Sequence, residues 1–259
     1  MGDLDSLISQ LGTLDIKSTD TYAKYISDNK EKLSLNLQKA IKGYHVVSKE
    51  PIKEARWEEI NEQVFKKSNC NIIETASGSH MSGCDIRTEQ VGNLSNKTSK
   101  IKDDIFNISS YRLSSVCHFQ RPGEIKDILE EITKKSKSYE NYSILLREDI
   151  DKTTTCYKWL IIPKSLDVLN SNKYEWSPMI GKRGPNKGLQ VGWCTNIIDG
   201  CSMKIMFSMS SQLWINISLT PTMKEKYIIG EVIYNKKDKD HQIDYIDLFD
   251  LCITDKKIE

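Results

Sequence analysis

An aspartate and a lysine lie about a dozen residues apart on two consecutive predicted strands. A turn dense in glycine and serine, residues 77–83, contains His80 and leads directly to Asp85, and Ser95 and Lys97 follow on the next strand. Carboxylate oxygens bind hard divalent cations, and a nearby ammonium group can stabilise charge on a phosphate that is being attacked. The spacing therefore predicts a hairpin that brings Asp85 and Lys97 together for phosphodiester hydrolysis.

A purely structural interpretation of the same residues is also open. An aspartate after a glycine commonly caps a turn, and lysines such as Lys97 and Lys100 commonly project from an edge strand into solvent. Three observations favour chemistry instead. The turn is made of small residues, as where a backbone approaches a ligand closely, it contains His80, and the acid and the lysine fall at the same end of paired strands.

The Asp85 and Lys97 arrangement resembles the PD-(D/E)xK nuclease superfamily, and within it the type II restriction endonucleases. The resemblance covers about thirty residues by motif. It implies a Mg²⁺-dependent endonuclease that cleaves double-stranded DNA, in which Asp85 binds the metal and Lys97 positions or polarises the attacking water. His80 would then contact the phosphate of the scissile strand.

The chain departs from the family pattern at the second acid, two residues before the lysine, where Ser95 would hold the position of the second metal ligand. In the family, a helix before the metal-binding strand often turns a glutamate toward the site. The predicted helix from Pro51 to about Lys67 carries Glu59 and Glu62, and either would supply the missing metal ligand. The alternative is that these two glutamates belong to a solvated acidic helix face.

A basic loop is the second candidate for DNA contact. Residues 181–188 contain three glycines and a proline together with cationic and amide side chains. Such side chains bind phosphates and base edges, so the predicted DNA-binding residues are Lys182, Arg183, Asn186, Lys187 and Gln190. A flexible surface loop without a ligand is the alternative.

Composition excludes several classes of protein. The chain has 259 residues, 37 basic and 36 acidic side chains and a net charge of +1, so it is not a uniformly basic nucleic-acid coat protein. Seven cysteines, an odd number with no C-x-x-C pair, favour reduced thiols and a cytoplasmic location. No nucleotide-binding glycine loop, serine-hydrolase elbow or zinc-ribbon spacing is found.

The periodicity of apolar residues predicts a mixed α/β fold. Two N-terminal helices are expected, separated by a break at Ser18, Thr19 and Asp20, and an amphipathic helix is expected from Glu124 to Lys137. The predicted strands alternate with these helices and form a central mixed β-sheet with helices against it, restriction-endonuclease-like in arrangement.

The predicted organisation is a single domain over residues 1–259. It has an N-terminal helical extension at 1–45 and a β-rich C-terminal elaboration at 170–259. A protein that recognises a palindrome works as a two-fold dimer, so a homodimer is expected, with the N-terminal helices as its natural interface.

Two rival hypotheses remain open from sequence alone. The chain would be a DNA-binding protein on the same fold whose site has lost activity, for which the serine at position 95 is the best evidence. Alternatively, it would be a non-enzymatic scaffold whose N-terminal helices bind a protein partner.

Overall fold

The computed structural model describes residues 3–75 and 84–237, with side chains described from Tyr22 onward. The described residues form four α-helices and eleven β-strands. The helices are α1 (Asp3–Val47), α2 (Glu54–Lys67), α3 (Ile125–Lys135) and α4 (Pro221–Tyr227). The strands are β1 (Ile72–Thr75), β2 (Ile86–Thr88), β3 (Gly92–Lys100), β4 (Ile105–Arg112), β5 (Asn141–Asp149), β6 (Thr154–Pro163), β7 (Trp176–Ile180), β8 (Gln190–Thr195), β9 (Ser202–Met206), β10 (Gln212–Ser218) and β11 (Ile228–Asn235).

The strands belong to two sheets in a mixed α+β arrangement. The first is a six-stranded mixed sheet in the order β1-β2-β3-β5-β6-β11, in which β3 and β5 are parallel and the other neighbours are antiparallel. The second is a five-stranded antiparallel sheet in the order β4-β10-β9-β8-β7. The predicted β-rich C-terminal part therefore contributes most of the second sheet, while β11 returns to the first.

Each face of the six-stranded sheet is covered by a different layer. Successive side chains of a strand point to opposite faces. Ile144 of β5 packs in the core shared with α3 and the five-stranded sheet, whereas Leu145 packs in the core beneath α1 and α2. Because both faces are covered, β5 is an almost unbroken run of buried residues, as expected for the inner strand of a parallel pair.

The N-terminal region is one continuous helix, so the predicted break at Ser18, Thr19 and Asp20 is wrong. Polar residues without glycine or proline lower helix propensity by only a fraction of a kcal/mol each, which is too little to end a helix. In its second half, Leu33, Leu37 and Ile41 are fully buried against the domain's own sheet. The second half of α1, which was predicted as part of the dimer interface, therefore belongs to the hydrophobic core.

Helix α2 begins at Glu54, three residues later than the predicted start at Pro51. Trp57 fixes its position on the sheet, because the buried indole donates a hydrogen bond to the carbonyl of Ser143 (3.2 Å) and packs edge-on against Trp159 (ring centroids 5.7 Å apart). Aromatic pairs of this geometry contribute about 0.5–1.5 kcal/mol beyond their buried area. The helix is thus anchored directly above β5, next to the hairpin that carries the candidate site.

Candidate functional site

Asp85 is held at the mouth of the β2–β3 hairpin by backbone hydrogen bonds. Its own N–H donates to the carbonyl of Leu94 (2.8 Å), which continues the ladder one residue beyond β2. Its Oδ2 accepts a hydrogen bond from the N–H of Asn96 (2.6 Å) and one from the hydroxyl of Ser95 (3.4 Å). These bonds fix the carboxylate in one orientation beside β3.

Lys97 lies two residues beyond Ser95, and side chains two apart on a strand share a face. Its ammonium contacts Glu54 Oε1 at 2.5 Å, at the first turn of α2. Only 14% of the lysine side chain is exposed. Lys97 is therefore an ordered, largely buried cation, which differs from the solvated edge lysine of the structural interpretation.

Helix α2 presents two acids on the face that carries its buried anchors. Glu54 and Glu58 lie one turn apart, and Trp57 and Asn61 occupy the neighbouring positions of the same stripe. Asn61 is fully buried and donates to Asn96 Oδ1 (2.5 Å) and to Ser143 Oγ (2.9 Å). The helix is thus locked to β3 and β5 with Glu54 and Glu58 turned toward the hairpin.

The electrostatics of the site show that the acids from the helix and the hairpin interact. Burial raises the pKa of Asp85, and the charge of Glu54 raises it further, whereas Lys97 and the hydrogen bond from Asn96 oppose the shift. Burial also raises the pKa of Glu58, and the negative charges of Asp85 and Glu54 add to this. Carboxylates that raise one another's pKa are typical of cation sites and of catalytic acid or base pairs.

Replacement of Glu58 by glutamine is expected to stabilise the protein at pH 7, with a rise in Tm of a few degrees. The pKa of Glu58 is higher in the folded than in the unfolded chain, so ionisation opposes folding once the pH exceeds the ordinary carboxyl range. Below about pH 4, where the unfolded group is also protonated, the difference from wild type should vanish.

Thermal melts of Glu58→Gln and wild type at pH 7 and pH 4 test this expectation. Glu59→Gln is the matched control, because Glu59 is an exposed neighbour that pairs with Arg56 on the same helix. A Glu58→Gln protein that is less stable than wild type at pH 7 would show that the carboxylate of Glu58 is stabilised rather than strained.

In the structure, the two glutamates predicted as ligands form ion pairs with cations of their own helix. Glu59 pairs with Arg56 at 2.6 Å and is 63% exposed, and Glu62 pairs with Lys66 one turn further along α2. Ser95 is buried next to Asp85, where it donates a hydrogen bond to the aspartate. His80 lies outside the described residues.

The donor set suits magnesium better than zinc or calcium. Among the described residues, no group of three histidine, cysteine, aspartate or glutamate side chains is placed to hold a metal ion. Mg²⁺ does not require such a cage, because it keeps several waters and is commonly held by one or two carboxylates. The carboxylates of Asp85 and Glu58 are hard oxygen donors whose mutual repulsion a cation would relieve.

The predicted DNA-binding loop lies in the other sheet. Residues 181–188 connect β7 to β8 through a short 3₁₀ turn at Gly184–Asn186, and Lys182, Arg183, Asn186 and Lys187 are all exposed. Gln190 is half-buried and donates to the carbonyl of Gly192 (3.1 Å). The loop is therefore accessible to a ligand, whereas Gln190 is partly engaged within its own strand.

The helices of the described part include none that is long and apolar enough to cross a membrane. Comparison of the chain with protein-family models, with curated proteins and with solved structures finds no match.

Proposed function

We propose that the chain is a Mg²⁺-dependent endonuclease that cleaves double-stranded DNA at specific sites, in the manner of type II restriction enzymes. One observation carries the proposal: the hairpin acid Asp85 and the lysine Lys97 share a half-buried cluster with Glu54 and Glu58 of α2. The six-stranded mixed sheet with helices packed on it is consistent with the restriction-endonuclease-like fold.

Each residue of the cluster has a distinct proposed role. Asp85 and Glu58 would bind Mg²⁺, which neutralises charge on the phosphate and lowers the pKa of a bound water. Lys97 would place its ammonium beside the phosphate and stabilise the charge that develops there. Glu54 is a positioning residue, because its carboxylate holds the Lys97 ammonium in place.

Glu58 replaces the second acid of the motif in this proposal. The serine at position 95 cannot provide a carboxylate, but its hydroxyl bonds to Asp85 and so orients the first acid. The half-buried Glu58 is coupled electrostatically to Asp85. A ligand supplied by the helix thus compensates for the one absent from the strand.

The exposed basic loop is proposed to contact DNA. Replacement of Lys182, Arg183 and Lys187 together by alanine should weaken binding of a specific duplex by about 10- to 100-fold, because three cationic contacts to the DNA are lost. The loss of each phosphate contact should also lower the salt dependence of binding. Among the single variants, Arg183→Ala should relax specificity at one base pair if it reads a guanine, which discriminates by about 1–3 kcal/mol. Fluorescence anisotropy at several salt concentrations measures both effects, and unchanged affinity of the triple variant would place recognition elsewhere.

A DNA-binding protein without nuclease activity is the second candidate, and the serine at position 95 favours it. Incubation with a supercoiled plasmid, in Mg²⁺ and in EDTA, distinguishes the candidates. The proposed nuclease gives nicked or linear DNA only in Mg²⁺. Binding without any cleavage supports the inactive DNA-binding protein, and neither binding nor cleavage supports a protein-interaction scaffold that uses α1.

A further inference from the structure

A cavity of about 540 Å³ lies at the end of the six-stranded sheet, where the end of α1 and the α1–α2 connection meet β5, β6 and β11. This volume is within the usual range for small-molecule and cofactor sites. Its lining consists mostly of charged and hydrogen-bonding side chains. These are His45, Lys49, Arg147, Asp149, Asp151, Lys152, Thr155, Tyr157, Tyr234 and Lys236, together with Pro51.

Four cationic side chains line this cavity against two carboxylates, those of Asp149 and Asp151. The Asp151 carboxylate accepts hydrogen bonds from the N–H groups of Thr153 (2.6 Å) and Thr154 (2.8 Å), and these bonds lower its pKa to about 2. Asp149 is paired with Lys100 at 2.8 Å. In the described part of the chain, by contrast, Lys49, Lys152 and Lys236 take part in no ion pair and lie exposed at the rim.

Arg147 provides an unused donor on the wall of the cavity. Its guanidinium Nε is buried and lies 3.4 Å from Asp149 Oδ1, yet within the described residues it makes no hydrogen bond. The ion pair with Asp149 is therefore poorly aligned for hydrogen bonding. An anion in the cavity would offer the guanidinium group a better-aligned acceptor, since arginine forms strong charge-assisted hydrogen bonds with phosphate oxygens.

Packed aromatic rings line one side of the cavity. The His45 ring stacks on Tyr234 (centroids 4.0 Å apart), and its Nε2 is 2.9 Å from the Tyr157 hydroxyl. Its Nδ1 is 3.0 Å from the carbonyl of Ser48, which can only accept, so Nδ1 carries a proton. These rings are almost fully buried and hold the cationic wall in place, but they offer no open face on which a base could stack.

The cavity adjoins the carboxylate–lysine cluster. Pro51 lines it, and α2 begins with Glu54 three residues later. On β3, Lys100 pairs with the cavity residue Asp149 and lies three residues beyond Lys97, a separation of about 10 Å along a strand.

We propose that this cavity is a phosphate-binding subsite, which receives a backbone phosphate of the DNA strand near the bond that is cut. The inference rests on the proposed nuclease function. It assigns Arg147 as the residue that contacts the phosphate directly and Lys49, Lys152 and Lys236 as the cationic rim. The subsite would fix the register of the strand, because phosphate contacts position a protein on DNA without reading its sequence.

The first test measures binding of a short duplex in EDTA at several salt concentrations, for wild type and for Arg147→Gln. Loss of the phosphate contact should weaken binding about tenfold and lower the slope of log K against log salt by about 0.9. The double variant Lys49→Gln/Lys236→Gln should lower the slope similarly. It changes only exposed side chains, so it tests the subsite even if Arg147→Gln does not fold correctly. Lys39→Gln, an exposed lysine of α1 that does not line the cavity, should leave the slope unchanged.

The second test uses inorganic phosphate alone, so that it is independent of DNA cleavage. Phosphate should raise the Tm of wild type by about 2–4 °C over sodium chloride of equal ionic strength, and Arg147→Gln should lose most of this rise. If phosphate raises the Tm of both proteins equally, or if the salt slopes of both cavity variants are unchanged, the proposed subsite is wrong, even if the protein is an active nuclease. If the plasmid is not cut in Mg²⁺, the nuclease proposal fails, and the phosphate comparison still decides whether the cavity binds this anion.

Discussion

Replacement of Asp85 by asparagine should lower the Mg²⁺-dependent cleavage rate on the order of 10³-fold or more. The variant keeps an oxygen that can accept the hydrogen bonds from Asn96 and Ser95, so the hairpin geometry is retained. It loses the negative charge that a divalent cation requires. Single-turnover cleavage of a plasmid measures the rate, and binding of a duplex in EDTA should be unchanged within about twofold.

Glu148→Gln is the matched control for Asp85→Asn. Glu148 is a partly exposed acid of the same sheet that pairs with Lys158 (2.5 Å), and it lies outside the cluster. Its neutralisation should leave cleavage intact. An Asp85→Asn protein that cuts within tenfold of wild type would show that Asp85 is not a metal ligand.

Replacement of Lys97 by methionine should lower cleavage by about 10²- to 10³-fold, the effect of removing one group that stabilises transition-state charge. Methionine keeps much of the apolar stem that is buried beside β3. The freed Glu54 carboxylate is 41% exposed and can be hydrated, so the stability cost should stay below about 1 kcal/mol. Cleavage kinetics and thermal melts of the same preparation give both quantities.

The chain supplies an unusually close control for Lys97. Lys158 forms a lysine–glutamate pair of the same length, 2.5 Å, and its side chain is 16% exposed against 14% for Lys97. Lys158→Met should therefore carry a similar stability cost without loss of activity. Equal losses of cleavage in the two variants would mean that Lys97 acts only through folding.

The hairpin could be predicted from sequence because its determinants are local. Asp85, Ser95 and Lys97 lie within thirteen residues of one another, and the alternation of a strand fixes which side chains share a face. The parallel pairing of β3 with β5 depends instead on contacts between residues that are about 47 positions apart. Local periodicity carries no information on such pairing.

The acids of α2 that interact with the hairpin residues in the structure, Glu54 and Glu58, differ from those that the sequence predicts as metal ligands. Sequence favoured Glu59 and Glu62 on the flank of an apolar stripe, but the anchoring of Trp57 and Asn61 turns Glu54 and Glu58 toward the hairpin. A spacing of i, i+3, i+4 and i+7 through Glu54, Trp57, Glu58 and Asn61 was visible in the sequence. Because Asn61 is polar, the sequence did not indicate that this stripe faces the core. The burial of Asn61 depends on partners in β3 and β5.

The residues that line the proposed phosphate-binding cavity form no recognisable pattern in the sequence. Its residues come from α1, the segment after it, two hairpin strands and β11, which are separated by up to about 190 positions along the chain. Only the register of β5, β6 and β11 brings Arg147, Tyr157 and Tyr234 to one end of one face. Tertiary structure alone shows that these cations surround a common space.

The location of a bound cation tests the central claim most directly. Anomalous diffraction from crystals grown with Mn²⁺ and a DNA duplex locates the metal without reliance on activity. The proposal predicts a peak between the carboxylates of Asp85 and Glu58, at about 2.1 Å from an oxygen of each. Bound manganese at other carboxylates while Asp85 and Glu58 carry no metal would contradict it.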